Sequence, residues 1–86
     1  MTVLAVFRSR TQVIQFSNLL HRYGIASSVV NAPKEANIGC ALCGQFPERE
    51  LARVRAVLKN NRITTFKGFY KTGYRNGHYT IMPLSS

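Results

Sequence analysis

The chain has 86 residues, and 12 Lys and Arg against three Asp and Glu give it a formal net charge of +9. Its hydrophobic content of 45% excludes a disordered chain, and no run approaches the roughly 18 consecutive apolar residues of a membrane-spanning helix. Since the start of the chain does not read as a signal peptide, we expect a cytoplasmic protein with no membrane partner, whose charge favours acidic proteins or nucleic acid.

The chain opens with a predicted strand and helix. Thr2–Phe7 is a short apolar run rich in residues that favour a buried strand. Ser9 is placed as an N-cap, Gln12 occupies the matching capping-box position, and apolar residues at helical spacing predict a helix over 10–23. Gly24 follows as the residue that ends the helix.

The middle of the chain predicts two strands and a second helix. Residues 25–30 read as a strand that is stopped by Pro33, and residues 40–46 read as a third strand of small and apolar residues. Pro47 suits the first position of the next helix, and the acids that follow it favour a helix N-terminus.

The last part of the chain predicts a hairpin. Residues 63–74 are strand-like, and the Asn-Gly pair at 76–77 is typical of a two-residue hairpin turn. This turn would pair Arg75 with His78 and start a final strand that ends before Pro83.

The order of elements predicts an α+β fold. We expect a ferredoxin-like βαββαβ sandwich, with two helices on one face of an antiparallel sheet and an extra C-terminal β-hairpin strand. Residues 1–71 would form this domain, and residues 72–86 would be a hairpin extension of it.

Two cysteines, Cys40 and Cys43, lie in the stretch NIGCALCGQF. A zinc site needs four ligands, and His21 and His78 lack the required spacing, so we expect no metal and no cofactor. Residues i and i+3 of a strand are about 10 Å apart, whereas a disulfide needs Cα atoms closer than about 7 Å. An internal disulfide is therefore expected only if residues 39–43 form a turn.

Two interpretations of the cysteines stay open. Cys40 follows Gly39 at the mouth of the predicted strand, with Lys34 nearby in the sequence, which favours a reactive thiolate. Alternatively, both residues are small core fillers, because free cysteine is among the most buried residue types. Cys43 would pack in the core or act as a resolving thiol.

Residues 2–71 resemble the putative selenium/sulfur carrier protein-like family, which consists of small bacterial domains. The resemblance is carried by two segments, Pro33-Lys34-Glu35 and Gly39-Cys40-Ala41-Leu42-Cys43-Gly44-Gln45-Phe46. The chain departs from the family pattern at three positions, which are Ala41 for a glycine, Cys43 for a small apolar residue and Gln45 for a basic residue.

The resemblance implies a function for Cys40. It would be the carrier thiol that holds a persulfide sulfur or selenium, in a setting formed by Pro33, Lys34 and Gly39. It also implies sulfur or selenium donor and acceptor proteins as partners, and a carrier rather than a turnover catalyst.

Two other functions remain as alternatives. The segment KGFYKTGYRNGHY interleaves cations with aromatic rings, as single-stranded RNA binding requires. Its candidate residues are Lys67, Phe69, Tyr70, Lys71, Tyr74 and Arg75. The third function is a structural domain without chemistry, in which the last strand pairs with a second copy to form a homodimer.

Overall fold

The computed structural model describes residues 2–32, 42–61 and 63–84, with Tyr79 described for its backbone alone. The described elements are β1 Thr2–Phe7, α1 Arg10–Arg22, β2 Ser28–Asn31, β3 Leu42–Pro47, a 3-10 turn Glu48–Glu50, α2 Leu51–Asn60, β4 Phe66–Arg75 and β5 His78–Leu84. Neither described helix is long and apolar enough to cross a membrane.

The five strands form one antiparallel sheet in the order β2-β3-β1-β4-β5. The predicted α+β class, with two helices and an antiparallel sheet, is therefore confirmed. The predicted pairing of Arg75 with His78 is also confirmed, and Asn76 and Gly77 both have positive φ, as a tight hairpin turn requires.

The predicted start of α1 is confirmed, the helix ends at Arg22 with Tyr23 as its C-cap instead of at residue 23, and one capping contact differs. Ser9 Oγ accepts a hydrogen bond from the Gln12 backbone N–H at 3.3 Å, and Gly24 has a φ of 73° just past the helix. The Gln12 side chain does not close a capping box. Its Oε1 instead accepts from the Thr65 backbone N–H at 3.2 Å and from the Thr65 hydroxyl, which ties the approach to β4 to the start of α1.

Two predicted boundaries in the first half are wrong. The second strand begins at Ser28, because the Ile25 backbone N–H donates to the Leu20 carbonyl at 2.9 Å and so belongs to the end of α1. Pro47 does not begin α2. It is the last residue of β3, and the 3-10 turn separates it from the helix.

The predicted end of the last strand is also wrong, since β5 continues through Pro83 to Leu84. Because β5 lies at the edge of the sheet, the missing N–H of a proline there can face away from β4 without removing a ladder bond. The third strand is described from Leu42 onwards, and the predicted strand residues 40 and 41 lie outside the described part of the chain.

The main core lies between the helices and one face of the sheet, which we call the helix face. Its buried side chains come from both helices and from alternate residues of the strands. They are Val3, Ala5, Phe7, Val13, Phe16, Leu20, Ile25, Phe46, Val54, Val57 and Phe69.

All five phenylalanines of the chain join in this core. Each ring contacts two others, with centroids between 4.8 and 6.4 Å apart, in the closed circuit Phe16, Phe7, Phe66, Phe69 and Phe46. These tilted and edge-on arrangements are the ones that aromatic pairs prefer. The circuit joins α1 to β1, β3 and β4, and so fixes how that helix sits on the sheet.

Gly44 of β3 lets α1 approach the sheet. A Cβ atom at this position would lie 2.8 Å from two carbons of the Phe16 ring, closer than real Cβ contacts occur. The glycine that follows Cys43 is therefore required by packing on the helix face.

The opposite face of the sheet carries a second, smaller cluster. Leu4, Val6 and Cys43 are buried there, with exposures of 1%, 0% and 0%. The partly buried side chains packed against them are Val30, Ala32, Tyr70 and Ile81.

Candidate functional site around the cysteine segment

β3 runs from one end of the sheet, at Leu42, to the other end, at Pro47. We call the first the Leu42 end, where Leu42, Asn31, Phe7 and Phe66 lie, because Asn31 pairs with Leu42 and Phe7 pairs with Phe66. The other is the Pro47 end, where Pro47 pairs with Thr2. β2 ends and β3 begins at the Leu42 end.

Cys43 is the second residue of β3 and is fully buried. It pairs with Val6 on one side and Val30 on the other, and it packs with Leu4 and Val6. A partner protein cannot reach a thiol in this position while the sheet is intact. The placement fits the role of a small core residue better than that of a resolving thiol.

The other predicted residues of the carrier site lie outside the described residues. They are Cys40, Pro33, Lys34 and Gly39.

Four cationic residues gather near the Leu42 end. Arg8 follows β1, Arg10 begins α1, Lys67 follows Phe66 in β4, and Lys59 lies in the last turn of α2. These elements all start or finish near the same edge of the sandwich because β1 leads directly into α1 and α2 leads into β4. Sequence analysis missed this grouping, since the four residues are spread over 60 positions.

The described carboxylates lie at the Pro47 end. Glu48 and Glu50 form the turn that follows Pro47. A carboxylate oxygen of Glu48 is 3.1 Å from Lys71 Nζ, and one of Glu50 is 3.1 Å from an Arg53 guanidinium nitrogen. Among the described residues, both carboxylates thus lie at the Pro47 end, and the charged side chains named at the Leu42 end are all cations. In the sequence between β2 and β3, Lys34 and Glu35 carry opposite charges.

The residues of the RNA-binding alternative are divided between the two faces of the sheet. Phe69 is 4% exposed and belongs to the helix-face core, so its ring is not available for stacking on a base. Lys71 pairs with Val3 on the same face and contacts Glu48. Tyr70 is packed on the opposite face, where Tyr74 also points by strand alternation.

The hairpin residues of that alternative are the exposed ones. Tyr74 is 76% exposed, and Arg75 is exposed at the turn. Lys67 lies where the register between β1 and β4 shifts. Phe69 and Lys71 thus lie on one face of the sheet, and Tyr70 and Tyr74 lie on the other.

The two histidines do not form a ligand set. His21 is exposed on α1, and its Nε2 is 2.8 Å from the Ser27 carbonyl oxygen, while His78 lies on the edge strand β5. Within residues 2–32, 42–61 and 63–84, no three His, Cys, Asp or Glu side chains cluster as metal ligands would.

Comparison with known families gives one match. Residues 2–71 match the family described as putative Se/S carrier protein-like. Neither the curated proteins nor the solved structures contain a match. The matched region ends inside β4, so the remaining residues complete that strand and add β5.

Proposed function

The chain belongs to the putative Se/S carrier protein-like family, and from that premise we propose that it carries sulfur or selenium on the thiol of Cys40. The observation that carries the proposal is the complete burial of Cys43, the only other cysteine. A carrier must present its sulfur to a donor and then to an acceptor. Of the two cysteines, this leaves Cys40 for the role.

The charge distribution supports the same assignment. In the sequence Cys40 precedes Leu42 by two residues, and Leu42 begins β3 at the end of the sheet where Arg8, Arg10 and Lys67 gather. Positive charge favours the thiolate, which is the form that attacks a sulfur–sulfur bond. The described carboxylates, which would oppose this effect, lie at the Pro47 end.

The transfer step is a thiol exchange. The Cys40 thiolate attacks the terminal sulfur of a donor persulfide, the donor's sulfur–sulfur bond breaks, and the donor leaves as a thiolate. Cys40 then holds the terminal sulfur as a persulfide, with no net oxidation or reduction. A terminal selenium would be transferred in the same way. The step needs no cofactor and fits a carrier in a reducing, cytoplasmic compartment rather than a turnover enzyme.

We also infer that the sandwich is ferredoxin-like, with residues 1–71 as the carrier domain and 72–86 as its extension. The two helices that share one face of the sheet support this assignment. The predicted homodimer through β5 stays a prediction, and the edge position of that strand is consistent with it.

The direct test is sulfur loading by a cysteine desulfurase supplied with cysteine, measured by intact-protein mass spectrometry. The wild-type chain is expected to gain the mass of one sulfur atom, and the gain should disappear on reduction. Cys40→Ser is expected to abolish the gain, because the attacking sulfur is gone. Cys43→Ser is the matched control and should still load. Undiminished loading of Cys40→Ser would refute the assignment.

A second test measures the charge effect on the thiol. The alkylation rate of Cys40 as a function of pH should reach half its maximum below about 8.5, the ordinary value for a cysteine thiol. Arg8→Gln should slow alkylation at neutral pH about twofold, since it removes one partly screened charge from the Leu42 end of the sheet. Arg49→Gln makes the same charge change in the turn at the Pro47 end and should leave the rate unaltered. Equal effects of the two substitutions would show that net charge alone matters.

A further inference from the structure

A cavity of about 340 Å³ opens on the helix face between the second half of α2 and the start of β4. Its volume is at the lower end of the range that small-molecule sites occupy. The lining residues are Arg55, Leu58, Lys59, Ile63, Phe66 and Phe69. The cavity therefore has an apolar floor and two cations at its rim.

The floor is a rigid part of the core. The rings of Phe66 and Phe69 have centroids 4.8 Å apart, and each also contacts another ring of the phenylalanine circuit, Phe7 at 5.4 Å and Phe46 at 5.8 Å. A ligand that lies on this floor would meet a surface whose shape is already set. Binding then costs little ordering of the protein.

The rim places two positive charges on the same side of α2. Arg55 and Lys59 are four residues apart in the helix, which makes them neighbours on its surface. The Arg55 guanidinium carbon lies 5.8 Å from the centroid of the Phe69 ring, over the floor of the cavity. An anion bound between Arg55 and Lys59 would meet both positive charges.

We propose that this cavity binds a small aromatic carboxylate. The ring of the ligand lies against Phe66, Ile63 and Leu58, and the carboxylate is held between Arg55 and Lys59. A guanidinium and an ammonium are the groups that bind carboxylates most strongly, and the apolar floor excludes a bare inorganic anion as the best occupant. None of the lining residues is a cysteine, so binding of the carboxylate can be measured separately from sulfur loading.

The experiment is a titration of the full chain with 1-naphthoate, followed by amide chemical shifts in two-dimensional NMR. Saturable shifts are expected at residues 58–59, 63 and 66, around the cavity. The neutral analogue 1-naphthalenemethanol has the same rings without the charge and should bind about tenfold more weakly. Equal affinity for the two compounds would overturn the proposal, as would the absence of saturable shifts at the cavity.

Substitutions on the two exposed helix surfaces complete the test. Lys59→Gln should weaken 1-naphthoate binding about tenfold and leave 1-naphthalenemethanol binding unchanged, because it removes only the charge contact. Arg22→Gln removes a cation from a different groove, the one lined by α1 and Ile63, and should change neither affinity. An equal loss from both substitutions would mean that net charge, and not this cavity, attracts the anion.

Discussion

The two faces of the sheet are built in different ways, and adjacent residues of β3 show the contrast. A side chain at position 44 would point to the helix face, where two helices and five phenylalanine rings form the core. Cys43 points to the opposite face, where the buried cluster has three members. Along that face burial falls from Cys43 in β3, through half-buried Tyr70, to exposed Tyr74 near the hairpin turn.

This difference shows which residues of β3 are required by packing against other parts of the core. On the helix face the backbone of β3 lies so close to the Phe16 ring of α1 that a glycine is needed at position 44. On the opposite face a small thiol fills space between Leu4 and Val6. The second cysteine of the stretch, which suggested a resolving thiol, and the glycine that follows it are thus explained by packing.

The largest effect on stability is expected on the helix face. Gly44→Ala should lower the free energy of unfolding by about 2 kcal/mol, because the added methyl group would sit too close to the Phe16 ring. The measurement is urea unfolding followed by circular dichroism. The control is Ala52→Gly in α2, a glycine–alanine exchange on an exposed surface. Gly77→Ala is not an equivalent control, since Gly77 has a φ of 79°. A neutral Gly44→Ala would show that α1 can move away from β3 at no cost.

A smaller loss is expected on the opposite face. Cys43→Ser should lower the free energy of unfolding by about 1 to 2 kcal/mol, because it buries a hydroxyl group among apolar side chains. Cys43→Ala should cost less, since it removes volume without adding a polar group. Thermal melts of the two variants give the comparison. If serine were as stable as wild type, Cys43 would have to reach water in solution.

The smallest effect is expected where the opposite face is exposed. Tyr74→Ala should change the free energy of unfolding by less than about 1 kcal/mol, as surface substitutions usually do. It should also leave the binding of single-stranded RNA unchanged in a gel shift at low salt, because such binding would come from the net charge alone and disappear as salt rises. A loss of RNA binding specific to Tyr74→Ala would favour the nucleic-acid alternative.

Much of the fold could be predicted because its signals are local. Ser9 and Gly24 mark the ends of α1 through their own backbone and side-chain chemistry, and the Asn-Gly pair at 76–77 sets the hairpin register. The errors occur where a neighbouring element or the position of a strand in the sheet decides. Ile25 is not part of β2 because its backbone N–H bonds to Leu20 at the end of α1. Pro83 can be part of β5 because that strand lies at the edge of the sheet.

The candidate site could be predicted in part for the same reason. The family resemblance rests on a contiguous pattern, and the match over residues 2–71 confirms it. The roles of individual residues depended on neighbours that sequence spacing does not reveal. Phe69 reads as a stacking ring in the sequence, yet it lies in the core because Ala5 pairs with it on the helix face.

The sequence by itself determined the family, the α+β class, the start of α1 and the excess of positive charge, since these follow from composition and local pattern. Only the tertiary structure decided that Cys43 is buried, that Gly44 is required by Phe16, and that cations gather at the Leu42 end. Each of these depends on which residues antiparallel pairing and helix packing bring together across tens of positions in the chain.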